Sequence, residues 1–279
     1  LPAGWCGKNF ACASLAAEAR SDWMLFLDSD ARLSQNAIKI MMAEAQHRKC
    51  SFLSCWPGLI LESTWEYVLM PMLNFVVFTL FPAPISIKKN NPSLGLAHGA
   101  CIMIRSSEYL LTGGHRLVFD KLFEDTCLAR AWRTSGRRGI CLDGQELVKV
   151  RMYESVGDIL RGFQKNFYPA FSRDFSFWLF IGFHAACFVL PFIVAPLIFT
   201  GRTDLWPAGI TALCIMLARL VQVWQFGYSF WAILMHPLAE IILISVGLSS
   251  WWKCHWGQGV EWKGRVYKSS VSNENSVVD

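Results

Sequence analysis

The chain has 279 residues, 53% of them hydrophobic and only 17% charged, with a net charge of +5. A mean hydropathy of +0.32 is too apolar for a wholly soluble protein of this size, and the apolar residues concentrate after residue 176; one soluble domain followed by a membrane part is expected. No basic helix or long basic stripe is present, which argues against a nucleic-acid partner. The positive balance is what Lys and Arg beside an anionic leaflet would give.

Residues 1–9, LPAGWCGKN, are turn formers around one lysine, Lys8. A chain opening on Leu1-Pro2 in a loop, with no initiating Met, is expected to lack an N-terminal piece. Residues 10–20 are rich in Ala and Leu and predict a helix. Residues 23–27, WMLFL, predict a buried strand, and Asp28 and Asp30 follow where it emerges. Ligands of open α/β sheets bind beyond the carboxyl ends of strands. Two acids one residue apart offer hard oxygens to Mg²⁺ or Mn²⁺, which in turn can hold a diphosphate; the same pair is also a common turn. A helix over 34–48 follows, with Ser34 as its expected N-cap, then a second buried strand over 51–56.

The apolar stretch 68–81 is interrupted by Pro71 and Asn74 and is too short to span a bilayer, so an interfacial or core helix is expected. Residues 90–100 form a polar, Gly-rich loop containing His98, followed by a strand over 101–104. Gly113-Gly114 marks a turn. Glu124 and Asp125 open a helix that runs to Ser135 and is ended by Gly136. A strand is expected within 139–150. A helix over 155–168 carries Arg161 and Lys165 one turn apart, so that both can face one anion.

Three long apolar runs come next, 177–200, 207–224 and 229–252, giving two or three expected transmembrane helices. Arg219 sits toward the end of the second run, where it can snorkel. His236 and Glu240, four residues apart in the third, are either a functional pair or one mutual hydrogen bond. Residues 253–268 are basic and aromatic, and the remainder to 279 reads as disordered. Arg161, Lys165 and Arg173 ahead of the first run place the soluble domain in the cytoplasm. Three full spans would put the basic tail outside, so either the tail breaks the positive-inside tendency or one apolar run is re-entrant, the third run with His236, Pro237 and Glu240 being the candidate. The ten cysteines show no CxxC pair and no Cys/His metal spacing, and read as reduced thiols.

The ordered segments LPAGWCGKNFA, LFLDSDARL, AHGACIMIRSSEYLLTGGH, FEDTCLARAWRTSG, RGFQKN and EWKGRVY resemble the membrane-bound members of glycosyltransferase family 2. Closest in flavour are the lipid-glycosylating groups: hopanoid-associated, carotenoid-type and ceramide glucosyltransferases. The resemblance implies an α/β, GT-A-like nucleotide-sugar domain over 1–170, a bacterial inner-membrane location and a Mg²⁺- or Mn²⁺-assisted, inverting transfer from a nucleotide-diphosphate sugar to a lipid hydroxyl. Asp28 and Asp30 match the DxD metal motif, and Asp125 the catalytic base, with Glu124 beside it. Lys8 falls on the donor-side loop. RGFQKN stands in place of the family's QxxRW motif but departs from it: Arg161 stands where Gln is expected, Gln164 where Arg is, and Lys165 where Trp is. Gly113, Gly114, Trp262 and Arg265 fall on the acceptor side, and His98 in the Gly-rich loop reads as a surface or acceptor-side residue rather than a metal ligand. The family's domain begins with a strand and an earlier nucleotide-binding Asp that nothing here matches, so the resemblance implies an N-terminally truncated domain. A processive polysaccharide synthase is the rival enzyme reading, disfavoured by the poor QxxRW match and the few membrane helices. A non-catalytic membrane protein or inactive fragment is the rival from another class.

Overall fold

A computed structural model describes residues 1–171, 173–257, 259–262 and 265–267, with backbone alone for 80, 260–262 and 265–267. The chain divides into two compact units: Leu1–Ile60 with Leu80–Met152, and Leu61–Thr79 with Tyr153–Asp279.

The first unit is mixed α/β. Its strands are β1 (Trp23–Leu27), β2 (Ala31–Leu33), β3 (Phe52–Trp56), β4 (Gly58–Leu59), β5 (Cys101–Arg105), β6 (Gly139–Asp143) and β7 (Val148–Val150). The main sheet runs β1-β5-β3-β6; β5 is antiparallel to both neighbours, while β3 and β6 are parallel. A smaller sheet runs β2-β7-β4. All five residues of β3 are buried because the sheet is covered on both faces. Phe52, Ile102 and Ile104 pack under Leu128 and Trp132 of the Glu124–Thr134 helix. Leu53, Cys55, Cys101 and Met103 pack on the other side with Met41 and Ala45 of the Ala37–His47 helix. Neighbouring strand residues point to opposite faces, so a strand sandwiched this way reads as one apolar run. Each fully buried Leu, Ile or Phe contributes about 1.5–3 kcal/mol.

The Glu124–Thr134 helix is pinned at its far end by buried Arg133. Its guanidinium donates to the carbonyls of Gly139, Lys89, Asn91 and Ser86 and to the Ser86 hydroxyl, at 2.9–3.2 Å. That anchorage fixes where Glu124 and Asp125 sit at the other end.

Several expected elements shift. The first helix spans Gly7–Ala17 rather than 10–20, so Lys8 lies in its first turn and not in a loop. Ser34 is not an N-cap: its N–H extends the β2–β7 pairing to the Leu147 carbonyl at 2.9 Å, and the helix begins at Ala37. The region 139–150 holds two strands in two different sheets, because the chain turns at Gly144, whose N–H reaches the Trp56 carbonyl at 2.9 Å.

The second unit is helical. Among the described residues, two stretches are long and apolar enough to cross a membrane, Asp174–Thr200 and Thr203–Phe226. The third apolar run is broken into Trp231–Leu234 and His236–His255. The 68–81 stretch lies in helices Thr64–Leu69 and Pro71–Leu80, whose Leu69, Met70, Met72 and Phe75 are all buried. Arg219 does not snorkel. It is buried, donates to the Ala232 carbonyl at 2.9 Å and to Gln222 at 2.9 Å, and lies 5.1 Å over the Phe75 ring. Those acceptors satisfy the guanidinium inside the bundle, so it has no need of the surface. His236 and Glu240 do not bond each other either. Glu240 bonds His184, while the His236 ring packs among Phe75, Phe188 and Phe192. The last described residues pair as two short antiparallel strands, Val260–Trp262 with Arg265–Tyr267, while the stretch to 279 expected to be disordered lies outside the described residues.

Candidate active site

Strand β1 ends at Leu27, and the Asp28 N–H is held by the Ala100 carbonyl at 3.1 Å. The chain then turns, the Ala31 N–H reaching back to the Asp28 carbonyl at 3.0 Å. This leaves the Asp28 carboxylate half-buried and Asp30 exposed. Lys8 faces Asp28 from the start of its own helix. Its ammonium lies 2.9 Å from Asp28 Oδ1 and 2.9 Å from Glu124 Oε1. Asp125 completes the group: its Oδ2 accepts from the Gly99 N–H at 2.7 Å and its Oδ1 from the Thr126 N–H at 2.7 Å.

Gly99 lies at the centre. A Cβ placed there would come within 2.9 Å of Lys8 Nζ, 3.3 Å of Asp125 Oδ2 and 3.4 Å of Glu124 Oε1. The one ammonium and three carboxylates therefore share a single small space beyond the carboxyl end of β1. The nearest of those atoms ends a flexible side chain, so Gly99→Ala should fold with little change in thermal midpoint. Its methyl should displace Lys8 and lower turnover by roughly tenfold or more, a split that unfolding curves and steady-state rates would reveal.

The electrostatics separate the acids. Burial is the largest influence on Asp125, the neighbouring Glu124 charge adds to it, and together they push its carboxyl up to about 7. Lys8 and the two backbone N–H groups oppose this without cancelling it. Burial by itself would lower the Lys8 ammonium, but Glu124 and Asp28 outweigh it and hold the group firmly protonated. The result is a fixed cation beside a carboxyl that titrates near neutrality.

Two supporting residues escaped sequence reasoning. Asn9, next to Lys8, is buried, and its Nδ2 donates to the carbonyls of Val118 at 2.6 Å and Lys121 at 2.9 Å. It fixes the helix that carries Lys8. The available signal was a lone amide in an Ala-rich helix, with no way to tell what it faced. His115 is likewise buried, bonded to the Tyr109 hydroxyl at 2.8 Å and packed 4.9 Å from Phe26.

The other expected site residues are placed less simply. His98 is not a surface residue. It is buried, its Nδ1 accepts the Ala100 N–H at 3.2 Å, and its ring stands edge-on to Trp56 at 5.0 Å. Burial lowers its pKa to about 4, so it is neutral at pH 7. Gly113 and Gly114 shape the turn after the Ser106–Thr112 helix. Gly113 caps it at φ +89°, and a Cβ on Gly114 would come 2.1 Å from the Tyr109 ring. Arg161, Gln164 and Lys165 belong to the second unit, on the Val156–Phe167 helix. Arg161 turns back to Asp158 of its own helix at 2.8 Å. Gln164 is engaged by Ser249 at 2.6 Å and Lys253 at 2.8 Å, which ties two helices together. Trp262 and Arg265 face each other across the terminal strand pair, with their side chains outside the described residues. Among the described residues, no three His, Cys, Asp or Glu side chains form a ready-made metal site. A Mg²⁺ that bridges to a diphosphate needs only one or two carboxylates and keeps waters for the rest. Asp28 and exposed Asp30 on one turn are of that kind.

An α/β unit with this acid cluster at a strand's carboxyl end, carried on a chain with two long apolar helices, is consistent with a GT-A-like glycosyltransferase. The chain belongs to glycosyl transferase family 21, whose sequence profile matches residues 2–275. It is similar to the 4,4'-diaponeurosporenoate glycosyltransferase of Staphylococcus haemolyticus strain JCSC1435, 27% identical over 153 residues, covering 54% of this chain and 40% of that protein. It is also similar to the Staphylococcus aureus strain MRSA252 enzyme of the same name, 24% identical over 285 residues, covering 97% of this chain and 72% of that protein. The chain thus spans less than half of the first relative and nearly three-quarters of the second.

Proposed function

We propose that this protein transfers a sugar from a nucleotide-diphosphate sugar to an oxygen nucleophile on an apolar, membrane-borne lipid, with inversion at the anomeric carbon. The observation that carries this reading is the convergence of Lys8, Asp28, Glu124 and Asp125 around Gly99. The acceptor in the relatives' name, 4,4'-diaponeurosporenoate, supports an apolar acceptor. The two long apolar helices support a membrane setting, and the basic residues ahead of the first of them support a cytoplasmic catalytic unit.

The chemistry follows from the site. The acceptor oxygen attacks the anomeric carbon as the bond to the diphosphate oxygen breaks, and the nucleoside diphosphate leaves. Asp125 takes the proton from an attacking hydroxyl; such a base contributes about 10²–10⁴-fold. A carboxyl that titrates near neutrality is poised for this. Lys8 offsets charge developing on the diphosphate. A Mg²⁺ or Mn²⁺ held by Asp28 and Asp30 would supply further positive charge to the diphosphate.

The relatives' name favours a second acceptor type, a carboxylate, which brings no proton to remove. The two are separated by supplying a long-chain alcohol or a long-chain carboxylate with a nucleotide-sugar and identifying the product by mass spectrometry. Release of nucleotide with neither acceptor glycosylated would overturn the proposal. Asp30→Ala changes an exposed side chain and should leave the fold intact. It should weaken donor binding in the presence of Mn²⁺ or Mg²⁺ but not in its absence; equal metal titrations for both proteins would remove Asp30 from the metal site.

A further inference from the structure

The segment between Tyr109 and Phe119 has two faces. Tyr109, His115 and Val118 point into the first unit and are buried. Leu110, Leu111, Leu117 and Phe119 point out, at 65%, 77%, 47% and 39% exposure. The left-handed Gly113 folds the Ser106–Thr112 helix onto the following Gly114–Val118 turn, and a Cβ on Gly113 would lie 4.0 Å from the Leu117 side chain. The four apolar side chains therefore belong to one compact tip.

The charge on that tip has one sign. Residues 109–119 contain Arg116 and no Asp or Glu. The acids on either side are engaged elsewhere: Glu108 with Ser51 at 2.5 Å and Arg137 at 3.4 Å, and Asp120 with Lys121 at 3.4 Å. Burial keeps His115 neutral, lowering its pKa to about 4. An exposed apolar tip with one cation and no acid of its own complements an anionic lipid leaflet. Among the described residues, the same chain has two helices long and apolar enough to cross a bilayer.

We infer that the Leu110–Leu111–Leu117 tip of the first unit docks into the acyl-chain boundary of an anionic membrane, with Arg116 at the headgroups. The docked segment is not remote from the chemistry. The carbonyls of Val118, Phe119 and Lys121 hold Asn9, and the Phe119 carbonyl also accepts the Cys6 N–H at 2.7 Å. Membrane contact at the tip thereby bears on the helix that carries Lys8.

The test uses the full chain in vesicles of phosphatidylcholine and phosphatidylglycerol that contain a phospholipid with a photoactivatable carbene precursor in its acyl chain. Labelled peptides are mapped by mass spectrometry. The Ala37–His47 helix is the internal control, because Ile38 and Ile40 are also exposed there, at 56% and 41%. Labelling is expected in peptides covering 108–119, well above the control helix. Leu110→Ser with Leu111→Ser should reduce it roughly tenfold, and Arg116→Gln roughly fivefold on anionic vesicles only, while labelling of Asp174–Thr200 stays unchanged in both. Equal labelling of the tip and the control helix would overturn the inference. So would protein–protein cross-links from the tip in place of lipid adducts, which would mean that a second copy or another protein covers it. The readout needs no turnover, so its failure is distinct from a failure of the transfer reaction.

Discussion

Asp125→Asn should reduce transfer to a hydroxyl acceptor by about 10²–10⁴-fold while nucleotide-sugar binding persists. The amide keeps the size and one of the two acceptor oxygens, so it meets the Gly99 or the Thr126 N–H but turns an NH2 toward the other, and it cannot take a proton at the attacking oxygen. Donor affinity by calorimetry and single-turnover rates would separate the two effects. The pH profile provides an independent check. Only the ionised carboxylate is a competent base, and burial together with Glu124 holds this carboxyl up at about 7. Wild-type turnover should therefore rise with pH through about 7, and the residual rate of the variant should lack that limb. Stability should move the other way. A carboxyl whose folded-state pKa is raised contributes stability below its ordinary range, and that contribution is lost as pH rises through about 7. The midpoint of Asp125→Asn relative to wild type should be higher at pH 8 than at pH 5, because the wild-type penalty grows as the carboxyl ionises, while the hydrogen bond lost to the amide NH2 offsets part of the gain at both pH values. An unchanged transfer rate would show that Asp125 is not the base. With a carboxylate acceptor the same variant should lose far less, because no proton has to be removed.

Lys8→Met should have the next largest effect. The methionine retains most of the stem but leaves Asp28 and Glu124 facing each other without the ammonium that lies 2.9 Å from each. A positioned cation of this sort is worth roughly 10²–10³-fold in rate when charge develops on a leaving group. Lys8 also opposes the upward shift of Asp125. Its loss should move the acid limb of the profile to higher pH, a signature that simple loss of donor affinity would not produce. Lys8→Arg should restore charge without restoring the profile fully, since the larger planar head cannot occupy the same point between two carboxylates. A profile that stays in place in Lys8→Met would show that the cation does not act on the base.

Much of the first unit was legible because burial on two faces leaves a plain mark. The FLSCW run is a strand covered on both faces, whereas WMLFL, read as a buried strand, is the edge strand of the sheet with only Met24 fully buried and Leu27 exposed; the acid pair still follows at its carboxyl end. Glu124-Asp125 at a helix start was equally plain. Polar residues inside apolar surroundings were not legible, because their partners are distant in sequence. Arg219 reads as a snorkelling cation until the Ala232 carbonyl is brought to it, and Glu240 reads as a partner of His236 until His184 arrives from another helix. His98 reads as a loop residue until Trp56 and the Ala100 N–H enclose it.

Sequence alone determined which groups are present for chemistry: paired acids after an apolar strand, an acid pair opening a helix, a lysine near the start and long apolar runs behind. These follow from local composition and periodicity, which act over a few residues. Only the tertiary structure decided that Lys8 lies between Asp28 and Glu124, that Gly99 leaves the space they share, and that Asp125 titrates near neutrality. Those properties depend on burial and on charges a few ångströms apart, contributed by segments as distant in the chain as Lys8 and Glu124.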